Sequence, residues 1–414
     1  MPRLADHAQR MPRSGIREIM DLAWSIDDPV IGLHVGEPSF ATPEHVLDGA
    51  RSALARGETR YVANAGIPAL REAITRKLAA RNGVSAESKQ VVVSAGGMQA
   101  LFTALAATVP AGAEVLVPDP GWPNFAMAVQ LLQARPVGYP LRQEEGFLPD
   151  LEALGSLVTE RTRALLVNFP SNPLGAVLPA DLAEALCRFA DRHDLWLISD
   201  ECYDEITFGT EPVSLARWDE QDRVLSCFSF SKTYAMTGMR VGYLVAPEPV
   251  ANTAAKLQEP LISCVSVPAQ YAALAALEGP QDFVATMRDA YRERRDAAAA
   301  QLDRAGVGYL LPQGAFYMWV DVRDRCGGDV KGWSLELLRQ RHVAVAPGTT
   351  FGAGGEGWVR VSLATETEDL LEGLTRLASG ASRIGAARLG LRVGRGRWPR
   401  SRRAAGSRRQ GWMP

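Results

Sequence analysis

Short apolar runs alternate with amphipathic stretches through the middle of the chain. The runs are rich in Val, Leu and Ile, whereas the stretches between them repeat apolar positions at the spacing of a helix. Strands are predicted at 91–93, 114–117, 164–168, 195–200, 224–228 and 240–245, with helices at 97–108 and 180–193 among the segments that separate them. Apolar strands separated by helices indicate an α/β fold whose mostly parallel sheet is covered on both faces.

The pattern changes after residue 285. The long amphipathic stretch 282–305 predicts a helix, and shorter elements follow it without regular alternation. Strands are predicted at 307–310, 315–321, 343–345 and 358–362, and helices at 333–341 and 366–377. We therefore expect a large domain over residues 46–285 and a smaller α+β domain over residues 286–380.

Charge is unevenly distributed along the chain. Its 45 basic and 47 acidic residues give a net charge of −2, yet ten of the arginines lie within residues 383–409, where no acidic residue occurs. This segment is punctuated by Gly, Ala and Ser and lacks apolar periodicity, so residues 381–414 are predicted to form a disordered basic tail. Contact with nucleic acid is one interpretation. We favour a non-functional extension attracted to the acidic body, because no folded basic module accompanies it.

The remaining composition indicates a cytoplasmic protein without a metal site. No apolar stretch is long enough to span a membrane, and the N-terminus lacks the apolar core of a secretion signal. The five cysteines are scattered and never spaced as Cys-x-x-Cys, which is typical of reduced thiols in the cytosol. The five histidines show no metal-ligand spacing.

Lys232 is the most informative residue for chemistry. It follows the apolar run 224–228, the hydroxyls of Ser229 and Ser231 precede it, and Arg240 comes after it. A lysine between apolar segments loses its hydration unless the amine is neutral or covalently used. A common covalent use is a Schiff base with an aldehyde cofactor, and the hydroxyls and the arginine would then anchor a phosphate. This combination indicates pyridoxal 5'-phosphate (PLP).

A second phosphate-binding feature precedes the helix predicted at 97–108. Gly96 and Gly97 begin this helix, where backbone N–H groups can approach an anion and the helix dipole favours phosphate. Glycine turns before helices are common, so the feature is informative only in combination with the Lys232 segment. Together the two segments predict a phosphate-binding cup.

The pattern Ser-x-Ser-Lys-x-x-x-x-x-Gly-x-Arg-x-Gly, which begins at Ser229, resembles the Schiff-base motif of the class I/II aminotransferases. These are PLP-dependent enzymes of fold type I. The chain is similar to their aspartate-aminotransferase-like group, with matches in the expected order over about residues 15–380. The resemblance implies a large domain with a mostly parallel seven-stranded sheet and a smaller α+β domain, which the N-terminal residues 1–45 cross over to join.

The same resemblance implies the reaction. An L-amino acid and a 2-oxo acid exchange an amino group by a ping-pong mechanism through a Lys232 aldimine. Two other functions remain open. A carbon–sulfur β-lyase or related elimination enzyme shares the same residues. A PLP-binding regulatory protein is the less favoured interpretation, because the chain has no room for a DNA-binding module ahead of this region.

Lys232, Asp200 and Tyr203 are the predicted catalytic residues. Asp200 closes the apolar run 195–199, and a buried carboxylate needs a cationic partner. The resemblance implies that this partner is the pyridinium nitrogen of PLP, that Tyr203 donates to the phenolic oxygen, and that the freed Lys232 amine removes the Cα proton. The alternative interpretation of Asp200 is an N-cap for a following helix.

The resemblance also implies the rest of the cofactor site. Asn172 matches the second donor to the phenolic oxygen and precedes a candidate cis proline, while Trp122 matches the aromatic residue that stacks on the pyridine ring. Tyr61 matches the tyrosine that reaches the phosphate of the neighbouring subunit, which implies a homodimer with shared active sites. Taken alone, Asn172 is typical of a turn and Trp122 of a loop. The predicted cofactor-binding residues are Tyr61, Gly97, Met98, Trp122, Asn172, Asp200, Tyr203, Ser229, Ser231, Lys232 and Arg240.

Gly36, Asn172 and Arg360 are the predicted substrate-binding residues. Arg360 lies in the alternating run 358–362, on the same face as Trp358 and without a local acidic residue. A buried guanidinium favours a carboxylate, and the α-carboxylate of the substrate is suited to this role. A surface arginine on an edge strand is the alternative interpretation. Gly36 matches the substrate-facing glycine of the family.

Met98 departs from the family pattern. Relatives that are specific for dicarboxylates often have a lysine at this position, which meets the second carboxylate of the substrate. A thioether cannot form that ion pair. The sequence therefore favours an uncharged or apolar amino acid over aspartate as the donor.

Overall fold

The computed structural model describes residues 2–211 and 213–379, so the predicted tail at 381–414 lies outside the described residues. The N-terminal part contains helices α1 (Asp6–Gln9), α2 (Gly15–Trp24), α3 (Glu44–Ala55) and α4 (Pro68–Lys77) and the short strand β1 (Ile31–Gly32). A π-helical turn, Leu78–Asn82, directly follows α4.

The central part of the chain forms the large α/β unit. Its strands are β2 (Val91–Ser94), β3 (Glu114–Asp119), β4 (Arg135–Pro140), β5 (Thr162–Asn168), β6 (Trp196–Asp200), β7 (Val224–Ser229) and β8 (Gly242–Val245). Its helices are α5 (Gly97–Thr108), α6 (Pro123–Leu131), α7 (Leu151–Leu157), α8 (Ala180–Arg192), α9 (Phe230–Thr233), α10 (Glu248–Ile262) and α11 (Val267–Glu278).

These seven strands form one sheet in the order β2-β8-β7-β6-β5-β3-β4. Strand β8 is antiparallel to both neighbours, and the other pairs are parallel. Successive side chains enter opposite cores, because Leu165 and Leu197 pack on one face of the sheet and Leu166 and Ile198 on the other. The mostly parallel seven-stranded sheet expected from the sequence is confirmed.

Strand β4 is the one strand of this sheet that the apolar pattern does not predict. It contains Pro136, Gly138 and Pro140, and most of its residues are partly exposed. Proline cannot donate to a central ladder but is tolerated at a sheet edge, and β4 is the edge strand next to β3. The edge position of β4 therefore explains why its composition is not typical of a strand.

The order of the strands brings polar residues to one end of the sheet. Asn168, Asp200 and Ser229 are the last residues of β5, β6 and β7, which are adjacent and parallel. The carboxyl ends of parallel strands form the usual ligand-binding edge of an open α/β sheet. The candidate site is therefore built at this edge.

The C-terminal part begins with α12 (Asp282–Ala305) and continues with β9 (Tyr309–Leu310), β10 (Tyr317–Asp321), α13 (Arg323–Cys326), α14 (Val330–Arg341), β11 (Val343–Ala344), β12 (Ala346–Pro347), β13 (Trp358–Ser362) and α15 (Thr367–Ala378). Strands β12, β13, β10 and β9 form an antiparallel sheet in that order. Strand β1 pairs in parallel with β11, which ties the N-terminal segment to this part of the molecule. No helix within the described residues combines the length and the apolar character that crossing a bilayer requires.

Candidate active site

Lys232 projects from the short helix α9, directly beyond the end of β7. Its Nζ donates a hydrogen bond to the backbone oxygen of Gly36 at 2.7 Å. Burial lowers the pKa of Lys232, and the charges of Arg360 and Arg240 act in the same direction. A lowered pKa increases the neutral fraction of the amine, which is the form that attacks an aldehyde or accepts a proton.

Asp200 ends β6 and is 5% exposed. The backbone N–H of Cys202 donates to its Oδ1 at 3.1 Å, and burial raises the pKa of the carboxyl. The charge of Lys232 opposes this effect, although no basic side chain of residues 2–211 or 213–379 lies within ion-pair distance of Asp200. Residues 202–205 form a turn and not a helix, so the N-cap interpretation of Asp200 is wrong. A buried carboxylate without an ion-pair partner is suited to a cationic ring nitrogen.

Arg360 is held deep in the site by hydrogen bonds to two neighbours. It donates from Nη1 to Asn172 Oδ1 at 2.8 Å and from Nη2 to the backbone oxygen of His34 at 2.6 Å. Its Nε is buried and has no partner among the described residues. Strand β13 lies between β12 and β10, so the interpretation of Arg360 as an edge-strand surface residue is wrong. The free Nε–H leaves part of the guanidinium available for a carboxylate.

Asn172 connects Arg360 to the end of the sheet. Its backbone N–H donates to Asn168 Oδ1 at 2.8 Å, and Asn168 Nδ2 donates to the backbone oxygen of Asp200 at 3.1 Å. Because Asn172 Oδ1 accepts from Arg360, its Nδ2 group is left to donate elsewhere. The bond to Pro173 is cis, as the resemblance implies.

The beginning of α5 and the Lys232 segment converge. Gly96 has a φ of 83° at the N-cap of α5, and a Cβ there would overlap with the Arg240 guanidinium. A Cβ on Gly97 would lie 2.7 Å from Cys202 Sγ, so the backbone of this turn packs closely. Ser229 Oγ accepts from the backbone N–H of Ser231 at 3.2 Å. Helix N–H groups and a guanidinium facing one turn form a local environment that favours an anion.

Met98 directly follows the Gly96–Gly97 turn, and Trp122 is the N-cap residue of α6. Both side chains are partly buried and pack against the core formed by one face of the sheet. The Trp122 ring meets Phe125 edge to face, with centroids 5.5 Å apart. Met98 lies in the first turn of α5, near the side-chain amide of Asn124. The surroundings of both residues are mainly apolar.

Tyr61 does not join the other predicted residues within one chain. It is 86% exposed and lies in the loop before α4. Gly36, in contrast, lies at the centre of the site, because its backbone oxygen accepts from Lys232 and a Cβ would overlap with the hydroxyl of Tyr317.

Tyr317 is the site residue that the sequence does not predict. Its hydroxyl lies 3.0 Å from the hydroxyl of Tyr203, and its ring lies 4.2 Å from the guanidinium carbon of Arg360. In the sequence it lies in the apolar run 315–320, where an aromatic residue is typical of a packed core. Only the pairing of β10 with β13 brings it under Arg360.

Comparisons with known proteins agree with this geometry. The family model for aminotransferase class I and II matches residues 28–377. A probable aspartate/prephenate aminotransferase of Aquifex aeolicus is 40% identical over 364 residues, which cover 86% of this chain and 92% of that protein. An aromatic-amino-acid aminotransferase 2 of Thermococcus litoralis is 38% identical over 90% of this chain and 97% of that protein.

A solved structure gives the same result. The aspartate aminotransferase of Thermus thermophilus with maleate superimposes with a TM-score of 0.88 at 38% identity, covering 91% of this chain and 99% of that one. The fold class and the reaction class expected from the sequence, PLP-dependent transamination on a fold-type-I scaffold, are therefore confirmed. The chain belongs to the class I and II aminotransferases.

Proposed function

We propose that this chain transfers the amino group of an L-amino acid to a 2-oxo acid at the site formed by Lys232, Asp200 and Arg360, with PLP as the cofactor. The observation that carries the proposal is their convergence: a buried amine of lowered pKa, a buried carboxylate without an ion-pair partner within the described residues and a buried guanidinium with a free N–H meet in one site. Bound PLP would supply an electron sink for the Cα of the amino acid.

The chain offers a suitable group for each part of the cofactor. Asp200 would hold the ring nitrogen protonated, and Tyr203 and the Nδ2 group of Asn172 would donate to the phenolic oxygen. Trp122 and Met98 would cover the ring with apolar surface. The phosphate-binding residues would be Gly97, Ser229, Ser231 and Arg240, with Tyr61 added from a second subunit.

Arg360 and Gly36 would bind the amino acid. Arg360 supplies a charge-assisted contact to the α-carboxylate, and Asn172 fixes the orientation of the guanidinium. The absence of a side chain at Gly36 lets its backbone lie directly against the Tyr317 hydroxyl. Lys232, released from its hydrogen bond to the Gly36 oxygen, would accept the Cα proton.

We propose a donor with an uncharged side chain. Position 98, where dicarboxylate-specific relatives often have a lysine, holds the thioether of Met98, which packs against apolar residues. The ion pair that a lysine could form at position 98 is not available in this chain. A panel of aspartate, phenylalanine, leucine and alanine as donors tests this specificity, and a preference for aspartate would contradict it.

We propose that the enzyme is a homodimer with shared sites. The support is the match of Tyr61 to the tyrosine that reaches the phosphate of the neighbouring subunit in the family, together with its 86% exposure in the single chain. Leu261 and Ile262, at the end of α10, are also exposed. Sedimentation at micromolar concentration tests the assembly, and a monomeric active enzyme would contradict it.

We propose the domain limits predicted from the sequence, residues 1–45, 46–285, 286–380 and 381–414. The pairing of β1 with β11 supports the assignment of the N-terminal segment to the small domain. Helix α12 runs through the limit at 285 and would connect the two domains.

A cytoplasmic location is supported by five cysteines that are all free. Cell fractionation tests the location.

The test of the reaction is a half-reaction assay. PLP-loaded enzyme is mixed with a donor, and the visible band of the aldehyde form is expected to disappear; addition of a 2-oxo acid is expected to restore it. A Lys232→Ala variant is the control and is expected to show neither change. Continuous turnover of a donor without any 2-oxo acid acceptor would contradict transamination.

A further inference from the structure

We propose that Tyr317 is a positioning residue for Tyr203: its hydroxyl donates to the Tyr203 oxygen and thereby directs the Tyr203 proton towards the phenolic oxygen of bound PLP. This inference rests on the proposed function, and it concerns a residue outside the set predicted from the sequence.

The two hydroxyls form an isolated pair. Their oxygens are 3.0 Å apart, and each hydroxyl has the other as its hydrogen-bond partner within the described residues. Tyr317 is 1% exposed and Tyr203 is 5% exposed, so water does not readily replace this bond. The rings meet edge to face with centroids 5.7 Å apart, which fixes the direction in which the hydroxyls face each other.

The Tyr317 ring is held from two further sides. The Arg360 guanidinium lies 4.2 Å from the centre of the ring, within the distance of a cation–π contact. On another side the Gly36 backbone approaches so closely that a Cβ would overlap with the Tyr317 hydroxyl. Arg360 and Gly36, which are proposed to bind the substrate, therefore also fix the position of Tyr317.

Proton counting sets the direction of the hydrogen bonds. Each hydroxyl has one proton to donate and can accept two. If Tyr203 donates to the phenolic oxygen of PLP, it cannot also donate to Tyr317, so the bond between the tyrosines must run from Tyr317 to Tyr203. A hydroxyl that accepts a hydrogen bond becomes a better donor, so Tyr317 strengthens the contact that Tyr203 makes.

The charged and titratable neighbours are compatible with this arrangement. Arg360 from β13 and Cys202 from the turn after β6 are the charged and titratable groups that act on the pair. Burial raises the pKa of both tyrosines, although the Arg360 charge opposes the effect. Both hydroxyls therefore remain protonated at neutral pH, as a chain of two donors requires.

The test uses PLP-loaded enzyme without substrate. A hydrogen bond to the phenolic oxygen draws negative charge away from the nitrogen that Lys232 contributes, so weakening this bond raises the pH midpoint of the visible absorbance change. Tyr317→Phe is expected to raise the midpoint by about 0.3 pH unit, because it weakens the Tyr203 bond without removing it. Tyr203→Phe is expected to raise it further.

Tyr291→Phe is the matched control. Tyr291 is buried in the same core, and its hydroxyl has no partner among the described residues. Its loss is expected to leave the midpoint unchanged. An equal shift in Tyr291→Phe and Tyr317→Phe would overturn the inference, since the effect would then reflect loosened packing.

The double variant Tyr203→Phe/Tyr317→Phe is expected to match Tyr203→Phe alone, because Tyr317 acts only through Tyr203. Additive shifts, or an unshifted Tyr317→Phe, would overturn the inference. A folded Tyr317→Phe protein that takes up no PLP would also overturn the inference. Failure of the wild-type chain to form the visible band would instead overturn the proposed function.

Discussion

Arg360 carries a buried positive charge whose Nε has no partner among the described residues. Replacing it with lysine retains the charge but removes the planar donor group that binds a carboxylate in two places. We expect Arg360→Lys to lower kcat/KM about 10- to 100-fold, the equivalent of one charge-assisted contact, mainly through KM. Steady-state kinetics with the preferred donor measure this effect.

Arg295→Lys is the matched control. Arg295 is also mostly buried, but it contacts the Phe208 ring and Asp296 and lies outside the site. We expect its kinetics to resemble those of the wild type. Equal losses in both variants would indicate a general effect on folding and would contradict the role of Arg360.

Glu201, the residue after Asp200, is expected to make the stability of the protein depend on pH. It is 2% exposed and bonds to the hydroxyls of Ser214 and Ser226, yet burial raises its pKa from 4.5 to about 7. The folded state therefore holds the proton more tightly than the unfolded state. The contribution of Glu201 to the free energy of unfolding therefore falls as the pH rises from about 4.5 to about 7, by about 3 kcal/mol at most.

Glu201→Gln removes this titration. We expect the variant to gain stability relative to the wild type as the pH increases across this window, in urea unfolding experiments at a series of pH values. Glu278→Gln, at an exposed position, is the control and should follow the wild type. A constant difference between Glu201→Gln and wild type from pH 4.5 to 7.5 would contradict the raised pKa.

Single functional residues can be predicted from the sequence where their charge does not suit the apolar residues around them. Lys232, Asp200 and Arg360 are charged residues beside or within apolar strands, and such residues need a reason to be buried. Tyr317 gives no such signal, since a tyrosine among apolar residues is typical of a core. Its role depends on contacts with Gly36 and Arg360 that are remote in sequence.

At the scale of elements, a buried ionic cluster joins the segments that carry the site. Lys77 Nζ, at the end of α4, bonds to Asn82 at 2.8 Å and to the carboxylate of Asp204. It also lies 5.0 Å from the centre of the Phe228 ring. The π-helical turn after α4 contains Asn82, whose Nδ2 donates to Asp204 at 3.1 Å. The cluster thereby fastens α4 to the segment that follows Tyr203.

Removing the Lys77 cation is expected to lower the free energy of unfolding. Lys77→Met leaves the carboxylate of Asp204 buried without its partner, and we expect a loss of about 3–5 kcal/mol in the free energy of unfolding. Urea unfolding measures it. Arg76→Met is the control on the same helix, because Arg76 pairs with Glu278 at the surface, where such pairs contribute about 0–1 kcal/mol. Similar losses in the two variants would contradict the importance of the buried cluster.

The elements differ in how well the sequence specifies them. The predicted helices 97–108 and 282–305 and the strand 358–362 coincide with α5, α12 and β13, since each has a regular apolar pattern. The π-helical turn has no comparable pattern. Its Asn82 contacts Asp204, which lies 122 positions later, and the local sequence does not contain this contact.

At the scale of the whole molecule, the position of Tyr61 requires a second subunit if it is to reach a phosphate. It is exposed, whereas the groups proposed to bind PLP lie around Lys232 in the same chain. The resemblance implies a role for Tyr61 at the phosphate of a neighbouring subunit, and its side chain is exposed in the single chain. A complementation experiment can decide whether the sites are shared.

Two defective chains are co-expressed for this purpose, one with Lys232→Ala and the other with Tyr61→Ala. In a mixed dimer one site has Lys232 from one subunit and Tyr61 from the other, while the second site lacks both. We expect the Lys232→Ala protein to be inactive alone and the Tyr61→Ala protein to bind PLP weakly. Random pairing makes about half of the dimers mixed, and each mixed dimer has one intact site out of two. The mixture is therefore expected to reach about a quarter of the wild-type activity. Activity no greater than the average of the two separate proteins would mean that each site is built from one chain.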